Sequence, residues 1–222
     1  MKLKAPLFRR QIEAAGRIRQ QLRKWQLSDA ALIALHEKLP GFEPEVCLLK
    51  SVAVNAIYGT NVLAIIRMAK HVEEVLGRHD LSQVGAELVI EMANAPEGKG
   101  QQSRKRTSFA SKFCHFFVAA ERFPIYDGAA CEALKLHFGE RVQAHDYKTF
   151  CSCITQLRDS VGNGCDTRVL DHYLWLTGMY MRWKKERKKE NPKVNAELLK
   201  LYNKLTKTQS ADVATMIPVT LH

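Results

Sequence analysis

Ile12, Ala15, Ile18 and Leu22 fall on one stripe of a helix spanning roughly residues 7–25, with arginines around them. Similar spacing recurs along the chain and predicts about eight to ten helices. Ser28 is placed to cap a short second helix ending before Pro40, and Glu45 opens a third after the turn at Phe42-Glu43-Pro44. Tyr58-Gly59-Thr60-Asn61 reads as a break, after which Val62, Ile65, Ile66 and Ala69 face inward on a helix over about 62–76. Further helices are expected over 81–95, 108–120, 128–138, 147–158, 167–183 and 195–205, with residues 208–222 a weakly ordered tail. No segment has convincing period-two alternation. The expectation is an all-α fold over residues 1–207 with two lobes, roughly 26–106 and 107–190 plus the N-terminal helix, and a central cleft.

One stretch departs from simple amphipathicity. Phe109, Phe113, Phe116, Phe117 and Ala120 predict a largely buried helix, capped by Thr107 or Ser108, yet Lys112 shares a face with Ser108, His115 and Phe116. Such a lysine either snorkels its amine to the surface or is held inside. If held inside, burial and the positive end of the helix dipole both favour the neutral amine that a nucleophile needs. From Lys112 to Ala120 the helix advances about 12 Å. Pro124 then forces an extended path through Phe123-Pro124-Ile125-Tyr126 that covers about 13–16 Å. Folded back, that path brings Asp127 beside Lys112. Asp127 is also a good cap for the next helix, and the two roles are compatible.

The strings Ser-Phe-Ala-Ser-Lys-Phe-Cys-His-Phe-Phe (108–117) and Arg-Phe-Pro-Ile-Tyr-Asp (122–127) resemble the 8-oxoguanine-glycosylase-like branch of the helix-hairpin-helix DNA glycosylase superfamily. Residues 49–61 and 171–176 resemble the same family, and the likeness covers roughly residues 45–185. It implies that Lys112 attacks the sugar carbon bearing a damaged or modified base, and that Asp127 assists. It also implies a role in repair or in defence against phage DNA. The superfamily's Leu-Pro-Gly-Val-Gly type turn before the lysine helix is missing here, and Gly98-Lys99-Gly100 lies further upstream.

Charge and composition extend this picture. The net charge of +11 is concentrated at the ends: residues 1–24 carry eight Lys or Arg against one Glu, and residues 182–207 carry ten against three. Both runs are either solvated helical faces or contacts to a polyanion. Arg104, Lys105 and Arg106 lead into the Lys112 helix, where bound phosphates would lie next to the proposed nucleophile. With them, Ser108, Asn55, Thr60 and Asn61 are candidate DNA contacts, although Asn55 could equally bond within a helix interface. Tyr58, His115, Phe116, Tyr126 and Trp175 are the candidates for holding an extruded base, or else core aromatics. The six cysteines lack the spacing of an iron–sulfur or zinc site, so no metal and no cofactor is expected. No apolar run reaches the roughly 18 residues a membrane span needs, and there is no signal-peptide core. The expected setting is a cytoplasmic monomer acting on double-stranded DNA. A non-catalytic DNA-binding protein, or a basic helical module binding RNA or an acidic partner, are the competing expectations.

Overall fold

The computed structural model describes residues 2–96, 105–139, 146–162 and 165–218. Among them are eleven helices and no strand: α1 (Arg9–Arg19), α2 (Arg23–Lys38), α3 (Pro44–Tyr58), α4 (Ile65–Gly77), α5 (Ala86–Ala93), α6 (Thr107–Phe117), α7 (Gly128–Phe138), α8 (Tyr147–Val161), α9 (Thr167–Glu186), α10 (Ala196–Tyr202) and α11 (Lys207–Met216). The fold is all-α. No helix among the described residues is long and apolar enough to cross a membrane.

The chain divides into two compact units, Leu27–Tyr126 and a second made of residues 1–26 with Asp127–His222. The division puts α6 with α2–α5, whereas the sequence pattern grouped it with the helices that follow.

In the Leu27–Tyr126 unit, α3 packs on α4 and α6, and α5 on α4 and α6. Helix α6 is buried along its length except at Ser108, as its phenylalanine spacing predicts. α3 ends where the sequence places a break, with Gly59 left-handed at φ 57°. α5 is shorter than the periodicity suggested. The Asp80 carboxylate accepts from the Ser82 amide at 2.9 Å, and Arg122 donates to the carbonyls of Leu81 and Val84, so residues 80–85 form a pinned turn instead of a first helical turn.

In the other unit, α7 packs on α9, and α1 on α9 and α11. Gly178 makes the α7–α9 approach possible: a Cβ there would stand 1.9 Å from the Ala129 carbonyl oxygen. His137, buried in α7, fastens the N-terminal arm. Its backbone carbonyl accepts from Lys4 at 2.7 Å, its Nδ1 donates to the Ala5 carbonyl at 2.7 Å, and its Nε2 accepts from the Tyr173 hydroxyl at 2.9 Å.

Three sequence expectations are corrected. The first helix does not run to residue 25: α1 stops at Arg19 and α2 starts at Arg23. The Gln26 side chain donates to the carbonyls of Arg19 and Gln20 at 3.1 Å each, while Leu22 in the turn is buried. The Gln26 amide thereby supplies partners to helix-end carbonyls that the break deprives of their intrahelical ones. Ser28 consequently lies inside α2 and is not its cap. Residues 207–216 are not a weakly ordered tail but α11, opened by a reciprocal Thr206–Gln209 capping box. Val213, Met216 and Ile217 are buried there, and Arg17 pairs with Asp212 at 2.8 Å.

All six cysteines are free. Cys47 and Cys114 are buried in the Leu27–Tyr126 unit. Cys131 and Cys153 are buried in the other unit, where Cys151 and Cys165 are half-buried.

Candidate functional site

Lys112 is only 3% exposed. Its amine does not snorkel along the surface: Nζ donates to Ser108 Oγ at 2.9 Å and stands 5.6 Å from the centre of the Tyr58 ring. Ser108 is one turn before Lys112 on α6, so the helix itself sets this contact. The expected capping role falls to neither Thr107 nor Ser108. Arg106 precedes α6 without a side-chain cap, which leaves the Ser108 hydroxyl for the lysine.

Tyr58 is held from two sides. Its hydroxyl donates to the buried Asp29 carboxylate at 2.6 Å, and its ring lies 5.7 Å from that of Phe116. Asp29 on α2 is therefore linked, through the Tyr58 ring, to the lysine on α6. The sequence reading missed this residue, since an aspartate among small and apolar residues inside a helix carries no signal of its partner. Phe116 and Tyr126 are buried as well, and the Tyr126 amide donates to Ser111 Oγ at 3.0 Å. The His115 imidazole bonds through Nδ1 to the Phe123 carbonyl at 2.9 Å, which fixes the chain as it leaves α6.

The α3–α4 connection sits in the same unit. Asn55 Oδ1 accepts from Thr60 Oγ1 at 2.8 Å and from the Val62 amide at 3.0 Å, and its Nδ2 donates to the Val62 carbonyl at 3.1 Å. Asn55 thus closes the loop. Asn61, with φ 56°, is exposed at its tip, and its carbonyl accepts from Arg106 at 3.3 Å. Asparagine tolerates the left-handed region better than most residues. Lys105 is exposed and Arg106 half-buried; Arg104 lies outside the described residues.

A second buried lysine, also missed, stands behind α6. Lys50 on α3 is fully buried; its Nζ donates to the Gly41 carbonyl at 2.8 Å and lies 3.1 Å from His36 Nδ1. The rings of Phe42 and Phe117 flank it at 4.3 and 5.2 Å. Burial lowers its pKa to about 8, partly opposed by Cys47 and Glu43. His36 is lowered too, by burial and then by the Lys50 charge, while burial lifts the Cys47 thiol to about 11.

Asp127 opens the second unit. It is the N-cap of α7, accepting from the Ala130 amide at 2.9 Å. Trp175 belongs to that unit as well and packs on Trp25, ring centres 4.1 Å apart, with His172 edge-on to Trp25 at 5.2 Å. The candidate base-pocket residues therefore divide: Tyr58, His115, Phe116 and Tyr126 lie in one unit and Trp175 in the other. No group of three or more His, Cys, Asp or Glu among the described residues is arranged to hold a metal ion.

No curated protein and no solved structure matches this chain. A family model does match over residues 11–121, a span running from α1 through α6 and including Asp29, Lys50, Tyr58 and Lys112. That model is described as HI_0787_N, N-terminal domain, and since it covers half of the chain, the chain belongs to this family.

Proposed function

We propose that this protein is a DNA glycosylase that excises a damaged or modified base, with Lys112 as its nucleophile. The observation that carries the reading is a lysine buried on an apolar helix, its amine held between a serine hydroxyl and a tyrosine ring. Burying an amine is costly, and burial favours its neutral, nucleophilic form. The resemblance of residues 108–127 to the helix-hairpin-helix glycosylases gives that amine a reaction.

In that reaction the neutral Lys112 amine bonds to the sugar carbon that carries the base. The bond from that carbon to the base breaks, and the base leaves with the electron pair and takes up a proton. Opening of the sugar gives a protonated imine on Lys112, from which loss of the neighbouring carbon's proton can expel the 3′ phosphate. Asp127 is assigned to stabilise the positive charge that develops on the sugar. Tyr58 and Phe116 would face the extruded base, and Lys105, Arg106 and the exposed tip at Asn61 would meet the backbone of duplex DNA. The protein would act as a cytoplasmic monomer, in repair or against phage DNA.

Borohydride reduces such an imine to a stable covalent link. Incubation with duplexes carrying a panel of lesions, phage-type modifications or an abasic site should yield borohydride-dependent protein–DNA crosslinks. Lys112→Gln, still folded by circular dichroism, should abolish them. Asp127→Asn keeps the cap and removes the charge, and should cut excision at least about tenfold while DNA binding persists. Equal trapping by wild type and Lys112→Gln would remove Lys112 from the chemistry. A non-catalytic DNA-binding protein, or a basic interaction module, would leave nothing to trap.

A further inference from the structure

Helices α3 and α4 leave an apolar groove open to solvent. Pro44, Leu48, Ile66 and Ala69 line a hollow of about 420 Å³. On the same stripe of α3, Leu49 and Val52 are 52 and 43% exposed, and Ile66, which the sequence pattern turned inward, is 73% exposed. The pattern is ordered. Glu45, Leu48, Leu49 and Val52 are an i, i+3, i+4, i+7 stripe on α3, and Ile66, Ala69, Lys70 and Glu73 are another on α4. These helices bury other faces in the unit, through Cys47, Lys50 and Val54 on α3 and Met68, Val72 and Val75 on α4. Large apolar side chains clustered on an exposed face mark interaction surfaces more often than singly scattered ones do.

The charges at the rim choose the occupant. Glu45 and Glu73 border the hollow, and neither has an ion-pair partner among the described residues. Among the described residues lining the hollow the one cation is Lys70, which lies 4.0 Å from Glu74. In a chain of net charge +11, two unpaired carboxylates beside exposed leucine and isoleucine form a local reversal of sign. They repel phosphate and anionic lipid, so neither a nucleic acid nor a membrane surface suits this face. The span from Ile66 to Glu73 is about 10 Å along the helix, so two to three turns of a partner helix would cover it.

We propose that the α3–α4 groove docks an amphipathic helix of a partner protein, one with aliphatic residues at i, i+3/i+4 and i+7 and Lys or Arg flanking them. The apolar residues fill the hollow, and the flanking cations meet Glu45 and Glu73. This inference is independent of the base-excision reading, since the groove involves neither Lys112 nor Asp127.

The test uses the full chain and two stapled, fluorescently labelled helical peptides of about twelve residues, a length at which an unstapled helix is marginal. Both carry the same leucine stripe; one is flanked by lysines and the other by glutamates. The lysine-flanked peptide should bind about tenfold more tightly than its twin. Ile66→Glu alters an already exposed side chain and should weaken binding by about tenfold or more. Glu45→Lys with Glu73→Lys should reverse the preference between the peptides. Equal binding of both peptides, no binding of either, or indifference to Ile66→Glu would overturn the proposal. So would a concentration-dependent dimer of the peptide-free chain that Ile66→Glu disperses, which would make the occupant a second copy. Binding to anionic vesicles through Ile66 would overturn it as well.

Discussion

Lys50 shows how much a single buried amine can reveal about stability. Its folded pKa of about 8 lies below the ordinary 10.5, so between those values the unfolded chain holds a proton that the folded chain has released. Raising the pH through this range therefore stabilises the fold. The Cys47 thiol acts in the opposite sense from about pH 9, because its folded pKa is raised to about 11 and the unfolded chain loses its proton first. Cys114, Cys151 and Cys153, also raised by burial, act in the same sense as Cys47, so the Lys50 contribution is read as a difference between two proteins. From about pH 8 to about 10 the urea midpoint of wild type should gain on that of Lys50→Met, whatever trend the two share. A constant gap would mean that Lys50 is as freely solvated folded as unfolded. Neither Lys50 nor Asp29 was legible in the sequence as part of any site. Their partners, Gly41 and His36 for one and Tyr58 for the other, come from different helices or turns, and no local spacing encodes such a meeting. Lys112 was legible because its own helix surrounds it with phenylalanines and supplies Ser108.

At the level of helices, what the sequence announced well were ends with a side chain to mark them. Asp127 before α7 and Gly59 after α3 do what their types suggest. The turn between α1 and α2 was missed because Gln26 closes it from beyond, and α11 was missed because its buried Val213 and Met216 are sparse in a polar segment. Packing between helices leaves an even fainter trace. Gly178 reads as a mild weakness inside α9, yet it is the point where the helix meets the Ala129 backbone. Gly178→Ala should destabilise the protein by about 1–3 kcal/mol, because backbone has to move to admit the methyl group. Gly16→Ala in α1, where a Cβ meets nothing within 4 Å, should be stabilising by about 0.5–1 kcal/mol. Thermal or urea melts of the pair separate helix propensity from close approach; similar shifts in both would deny the α7–α9 contact its role.

For the whole molecule, the concentration of positive charge near the chain's two ends bears on the proposed binding of DNA. If Lys105, Arg106 and the terminal segments bind phosphates, the log of the binding constant should fall linearly with the log of salt concentration. Replacing Lys105 and Arg106 by alanine should reduce that slope by about 0.9 for each phosphate no longer neutralised. An unchanged slope, measured by fluorescence anisotropy on one duplex, would leave both side chains as solvated charges. The free cysteines offer a different kind of readout. Burial drives the Cys114 thiol far above its ordinary pKa and lifts Cys47 to about 11, so neither is an effective nucleophile near neutral pH while its surroundings stay closed. In the second unit, burial raises Cys151 to about 12 and shifts Cys153 in the same direction. An alkylating reagent followed by peptide mass spectrometry would therefore report openings as they occur, with Cys47 and Cys114 timing one unit and Cys151 and Cys153 the other. The native chain carries its own pair of stopwatches, and comparing them would tell whether its two units breathe together or apart.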